Sequence, residues 1–131
     1  MIRKLILAMS IPVVLWQSTP CKPEPPALNR FQVRELWREN NRLYFGGKVP
    51  DIALEDIRYQ YLGQNLGVVT CWPKPTLKID TRIQFSERLV SSVLLHEMAH
   101  VASQDCVHGP QFQNELKRLI RIGAFDEILG G

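Results

Sequence analysis

His96, Glu97 and His100 are the residues whose types and spacing best suit them to chemistry. They form the run His96-Glu97-Met98-Ala99-His100, inside Ser86 to Asp105, which reads as one amphipathic helix. Side chains four residues apart project from one helical face, one turn above the other. Two imidazoles so placed share a divalent cation, and the carboxylate between them leans over the cation's open position. Hydrolysis is the reaction this serves: two metal ligands, and a Glu97 carboxylate that takes a proton from water.

A hydrolytic zinc site uses three protein ligands and keeps one exchangeable position. The only other histidine is His108, eight residues after His100, across a loop long enough to turn back. It ranks first as third ligand because histidine-rich open sites suit hydrolytic zinc; Asp105, Cys106 and Glu115 are the alternatives. Tyr44, Tyr59 and Tyr61 are interchangeable candidates for an oxyanion donor. In the competing account the histidines are core residues, and each would then need a buried hydrogen-bond partner.

The elements that must position these groups follow from pattern. Ser86 is suited to cap the metal helix, with Glu87 favourable in its first turn. Leu89, Val93, His96 and His100 share one face, and Leu94, Met98 and Val101 widen the buried side. Ahead of it, Asn29 caps a helix from about Arg30 to Tyr44, with Phe31, Leu36, Trp37, Leu43 and Tyr44 as its apolar contacts. Gly46, Gly47 and Pro50 mark a turn. Strands are expected over Ile52 to Tyr61, Leu66 to Trp72 and Thr76 to Asp80, the first two joined by a hairpin at Gly63-Gln64-Asn65. Pro73 and Pro75 suit an edge position for the third strand. An edge strand beside a protease site is a place for an extended substrate to add. A last helix opens at Pro110 and ends near Gly123, with Phe112, Leu116, Leu119 and Ile120 as its buried stripe.

At 131 residues, 45% hydrophobic and 22% charged, the chain suffices for one α+β domain with a modest core. Residues 1–16 combine the basic start Arg3-Lys4 with an apolar run and read as a signal peptide or membrane anchor. Residues 17–27 carry four prolines and read as a Pro-rich linker, leaving 28–131 as the folded domain. Formal net charge is +3 from 16 basic and 13 acidic residues; without Arg3 and Lys4 it is 14 against 13, or +1. Such a domain has no general pull toward nucleic acid. Arg30, Arg34, Arg38 and Arg42 do form a ridge, read as a solvated face partly neutralised by Glu35 and Glu39, with a docking surface for phosphate or an acidic partner as the alternative. In an exported chain Cys71 and Cys106 could form one bridge and leave Cys21 single; three unrelated thiols are the alternative, and the sequence does not decide between them.

Three stretches, Asn41 to Pro50, Leu94 to His100, and His108-Gly109-Pro110-Gln111-Phe112, resemble the SprT-like family of zinc metallopeptidases in composition and order. The resemblance spans roughly Leu28 to Gly123. It implies a zincin-like domain, in which a first helix, a small three-stranded sheet, the H-E-x-x-H helix and a C-terminal helix pack together. It also implies zinc held by His96, His100 and His108, with Glu97 catalytic. Several family members cleave proteins crosslinked to DNA. No counterpart of the family's cysteine-rich zinc ribbon appears here, and an exported chain does not meet chromosomal DNA. The function expected is therefore hydrolysis of a protein or peptide substrate at the cell envelope. The alternatives are a non-catalytic zinc-stabilised binding module and a cytoplasmic, DNA-associated protease.

Overall fold

Helix α1 (Arg30–Tyr44) begins where the sequence provides a cap. The Asn29 side chain accepts the Gln32 N–H at 2.9 Å, and the Gln32 side chain accepts the Asn29 N–H at 2.8 Å, a reciprocal capping box. This computed structural model describes residues 25–126. Expectations for the segment 1–16, for the linker up to Glu24 and for the last five residues lie outside that range. Among the described residues no helix is long and apolar enough to cross a membrane.

The architecture is α+β, three helices with a small three-stranded sheet. After α1 come a 3-10 turn (Leu54–Asp56), β1 (Ile57–Gln60), β2 (Gly67–Thr70) and β3 (Thr76–Asp80). A second 3-10 turn (Thr81–Ile83) leads to α2 (Glu87–Ser103) and then α3 (Pro110–Arg121). Ser86 caps α2 as expected, its hydroxyl accepting the Leu89 N–H at 3.2 Å.

Strand order corrects the sequence reading twice. The sheet runs β1-β3-β2, so β3 is central and β2 is an edge. β1 lies parallel to β3, with Ile57 opposite Leu77 and Tyr59 opposite Ile79. β2 lies antiparallel to β3, with Gly67 opposite Ile79 and Val69 opposite Leu77. Pro73 and Pro75 do not push β3 to an edge because both fall in the connector before Thr76, leaving the strand's own N–H groups free to pair. Gly63-Gln64-Asn65 reverses the chain without making a hairpin, because β1 and β2 each pair with β3 and not with one another. The first strand is also shorter than expected, since Leu54–Asp56 closes a 3-10 turn.

Asp80 holds that reversal in place. Its fully buried carboxylate accepts N–H groups from Leu62 at 2.7 Å and Arg82 at 2.8 Å, and the Arg82 guanidinium at 2.7 and 2.9 Å. The Arg82 side chain also donates to the Gly63 carbonyl and lies 5.0 Å from the Tyr61 ring.

The core sits between the sheet's inner face and α2. Ile57, Leu77 and Ile79 meet Val90, Leu94 and Met98, all at most 1% exposed. Helix α1 contributes Val33 and Trp37, both fully buried, in place of Phe31 and Leu43, which are exposed. Leu89 of α2 and Ile120 of α3 are likewise exposed. Buried Asn40 ties α1 to α2, donating to the Ser91 carbonyl at 3.3 Å. The turn after α1 is fixed by Asn41, whose amide donates to the Val49 carbonyl at 2.7 Å and accepts the Val49 N–H at 3.0 Å. Two of the four arginines of the ridge are ion-paired. Arg38 meets Asp51 at 2.7 Å and Glu35 at 3.2 Å, Arg42 meets Glu39 at 2.6 Å, and Arg34 lies 5.4 Å from the Phe31 ring.

Candidate metal centre

α2 places His96 and His100 one turn apart, and the loop after it folds back to bring His108 beside them. One ligand atom from each of the three rings lies within 4.8 Å of the others. The Nε2 atoms of His96 and His108 are 3.4 Å apart. Nitrogens at roughly 2.0–2.1 Å from a tetrahedral ion are separated by about 3.4 Å, so this spacing already matches a shared cation. The residues present therefore fit a metal ion on the chemistry of the donor set.

Each ring is supported. His100 is buried and its Nδ1 lies 2.7 Å from the Asp105 carbonyl oxygen. A carbonyl only accepts, so Nδ1 carries the proton and Nε2 keeps its lone pair for a ligand role. Phe112, 1% exposed, forms a floor under all three rings. It stacks on His100 at 4.0 Å with planes 15° apart and sits 5.0 Å from His96 and 4.9 Å from His108. Burial, together with the neighbouring His100 and His108, pulls the His96 imidazole down to about 4. Burial lowers His100 as well. Both rings are consequently neutral at pH 7, the form that binds metal.

Glu97 projects beside this cluster, with its carboxylate 3.9 Å from His96 Nε2 and its side chain 7% exposed. Burial pushes its carboxyl up to about 7, against a smaller lowering by the Val69 backbone N–H. A carboxylate so placed is matched to proton transfer near neutral pH. The edge strand β2 comes close here: a Cβ at Gly67 would run into Val93 Cγ1 and lie 3.4 Å from Glu97 Cγ.

The other candidate ligands are committed elsewhere. The Asp105 carboxylate accepts N–H groups from Val107 at 3.2 Å, Gly109 at 3.4 Å and Phe112 at 3.2 Å. Burial alone would raise this carboxyl, but those three donors outweigh it and hold it below the ordinary range. Glu115 pairs with Arg118 at 2.6 Å. Cys106 is bonded to Cys71, with Cα atoms 6.3 Å apart, a pairing the sequence left open. This bond ties the residue after β2 to the loop that carries His108.

Among the described residues, no tyrosine lines the cleft around the histidines. Tyr61 lies under Arg82, and Tyr44 lines a separate cavity with Arg118. Sequence reasoning missed the structural part played by Phe112 and Asp105. Their signal is local: one is four residues after His108 on the first turn of α3, the other three before it.

No family model matches the chain, and no curated protein matches it either.

Proposed function

We propose that the chain is a zinc-dependent metallopeptidase of zincin-like, SprT-like type. The observation that carries the proposal is the convergence of His96, His100 and His108 with Glu97 beside them. His96, His100 and His108 hold the zinc ion through ring nitrogens. When bound, the ion supplies Lewis acidity, which acidifies water and polarises a carbonyl. Glu97 accepts the proton of the attacking water and later returns it to the leaving amine, a cycle its raised pKa favours. His96 and His100, whose pKa values burial lowers, are in the neutral form that would hold the ion.

Substrate enters along β2. Among the described residues no second strand covers its outer edge, since β2 pairs only with β3, and its Val69 N–H already meets the Glu97 carboxylate. An extended peptide added there passes Glu97, because Gly67 of the same strand lies against that side chain.

The Cys71–Cys106 bond supports the export expected from residues 1–16, since such bonds persist in oxidising compartments. Pairing of Arg38 and Arg42 with Glu35, Glu39 and Asp51 weighs against a DNA-dependent role.

The test is Glu97→Gln. The variant retains one zinc per chain while cleavage of an unfolded protein such as casein falls by a factor of about 100 or more. Full activity in the variant removes Glu97 from the mechanism. Zinc in the wild type with no cleavage of any protein favours the binding module.

A further inference from the structure

The cleft that reaches the histidines encloses about 570 Å³. His96, Glu97 and His108 line it, and among the described residues they are its ionisable groups. The lining is otherwise mainly apolar, with Leu66 from the loop before β2, Val93 from α2, and Leu116, Ile120 and Phe125 from α3 and the turn after it. Gln64, Asn65 and Ser92 add neutral polar groups at the margin. A second cavity, beside Trp72, differs in carrying Lys48, Glu115 and Arg118. Leu66 and Ile120 are 42% and 50% exposed, so the apolar wall stands open to water.

A charged side chain entering this cleft would lose hydration and find, among the described residues, no counterion except the proton-transfer and ligand groups themselves. A Leu or Phe side chain would remove apolar surface from water on both partners. We infer that this wall is the subsite for a large apolar side chain (Leu, Ile, Met or Phe) on the residue flanking the scissile bond. The inference rests on the peptidase reading and names its substrate class: extended peptides with such a residue beside the cleaved bond. Ile120 is the specificity-determining position most open to change, since it is half exposed while Phe112 and Leu119 anchor α3 in the core.

The experiment uses zinc-loaded Glu97→Gln protein, so that turnover plays no part, and calorimetric binding of dipeptide hydroxamates carrying Leu, Phe, Asp or Lys. The Leu and Phe probes are expected to bind about tenfold or more tightly than the Asp and Lys probes, the scale set by burying one such side chain. Ile120→Lys should weaken the Leu probe and strengthen the Asp probe by about tenfold each. Equal affinities for all four probes overturn the subsite even where the wild type cleaves casein. Apolar selectivity in a wild type that cleaves nothing upholds the subsite and refutes hydrolysis instead. A chain ending at Asp126 that binds every probe tenfold more tightly than the full chain makes residues 127–131 the occupant and overturns the inference. A chain that takes up no zinc overturns both readings.

Discussion

The Asp105 carbonyl accepts the Nδ1–H of His100 at 2.7 Å, while the carboxylate of the same residue gathers the backbone of the following loop. One residue therefore sets the tautomer of one ligand and the path of the loop that carries another. Its fit is close: a Cβ on Gly109 would come within 2.6 Å of the Asp105 carboxylate.

Asp105→Asn replaces one acceptor oxygen by an NH2 group facing backbone donors. Zinc affinity should fall about 10- to 100-fold, the range seen when groups that orient metal ligands are altered. Chelator competition measures this. An unchanged dissociation constant, with helix content unchanged, would show that His108 finds its place without this carboxylate.

The Cys71–Cys106 bond closes a 35-residue separation between the end of β2 and a point two residues before His108. Closing a loop of that size stabilises the folded chain by about 2–4 kcal/mol. The Cys71→Ser, Cys106→Ser double variant should melt lower by that amount. Its zinc affinity should also drop, because the ligand loop loses a covalent tether. Denaturant titration with and without zinc separates the two effects: equal destabilisation in both conditions would mean that the tether acts on the fold alone.

The site was more legible in the sequence than the sheet, and the reason is sequence distance. His96 and His100 lie on one face by helical geometry alone, and the Asn29–Gln32 box closes within a single turn. The Gly63 reversal looks like a hairpin locally. Its outcome is decided by β3, whose Asp80 captures Leu62 and Arg82. Nothing within the reversal itself announces that competition. Side-chain burial failed for a similar reason. Phe31 and Val33 are both apolar near the start of α1, but Val33 and Trp37 fall on the stripe facing the core, and Phe31 ends beneath Arg34.

Asp80 also sets a pH limit on the fold. Hydrogen bonding to Arg82, with backbone donors from Leu62 and Arg82, holds its carboxyl well below the usual carboxylate range. A folded value below the unfolded one, about 3.9, contributes stability that is complete above that pH and is lost as pH falls further. Melting temperature of the wild type should drop steeply below about pH 4. Asp80→Asn should melt lower than wild type at pH 7, and the gap should narrow as the pH is taken below 4. A gap independent of pH would mean that the Asp80 charge contributes nothing and that shape alone matters.

Gly67 is where the edge strand and the metal helix come closest. Its Cβ position runs into Val93 Cγ1 and lies 3.4 Å from both Cγ and Oε2 of Glu97. Val93 is β-branched and held in α2, so it has little freedom to rotate away. Gly67→Ala must therefore lift β2 from α2 or displace Glu97. Overpacking of this kind costs about 1–3 kcal/mol, and the melting temperature should fall accordingly. Activity should fall further than stability requires, because the Val69 N–H and the Glu97 carboxylate would separate. Pairing Gly67→Ala with Val93→Ala makes room for the added methyl and tests the account directly. Partial recovery of activity in the double variant is the expected result. Losses that simply add would mean that the contact at Val93 is not what holds the strand at its distance from Glu97.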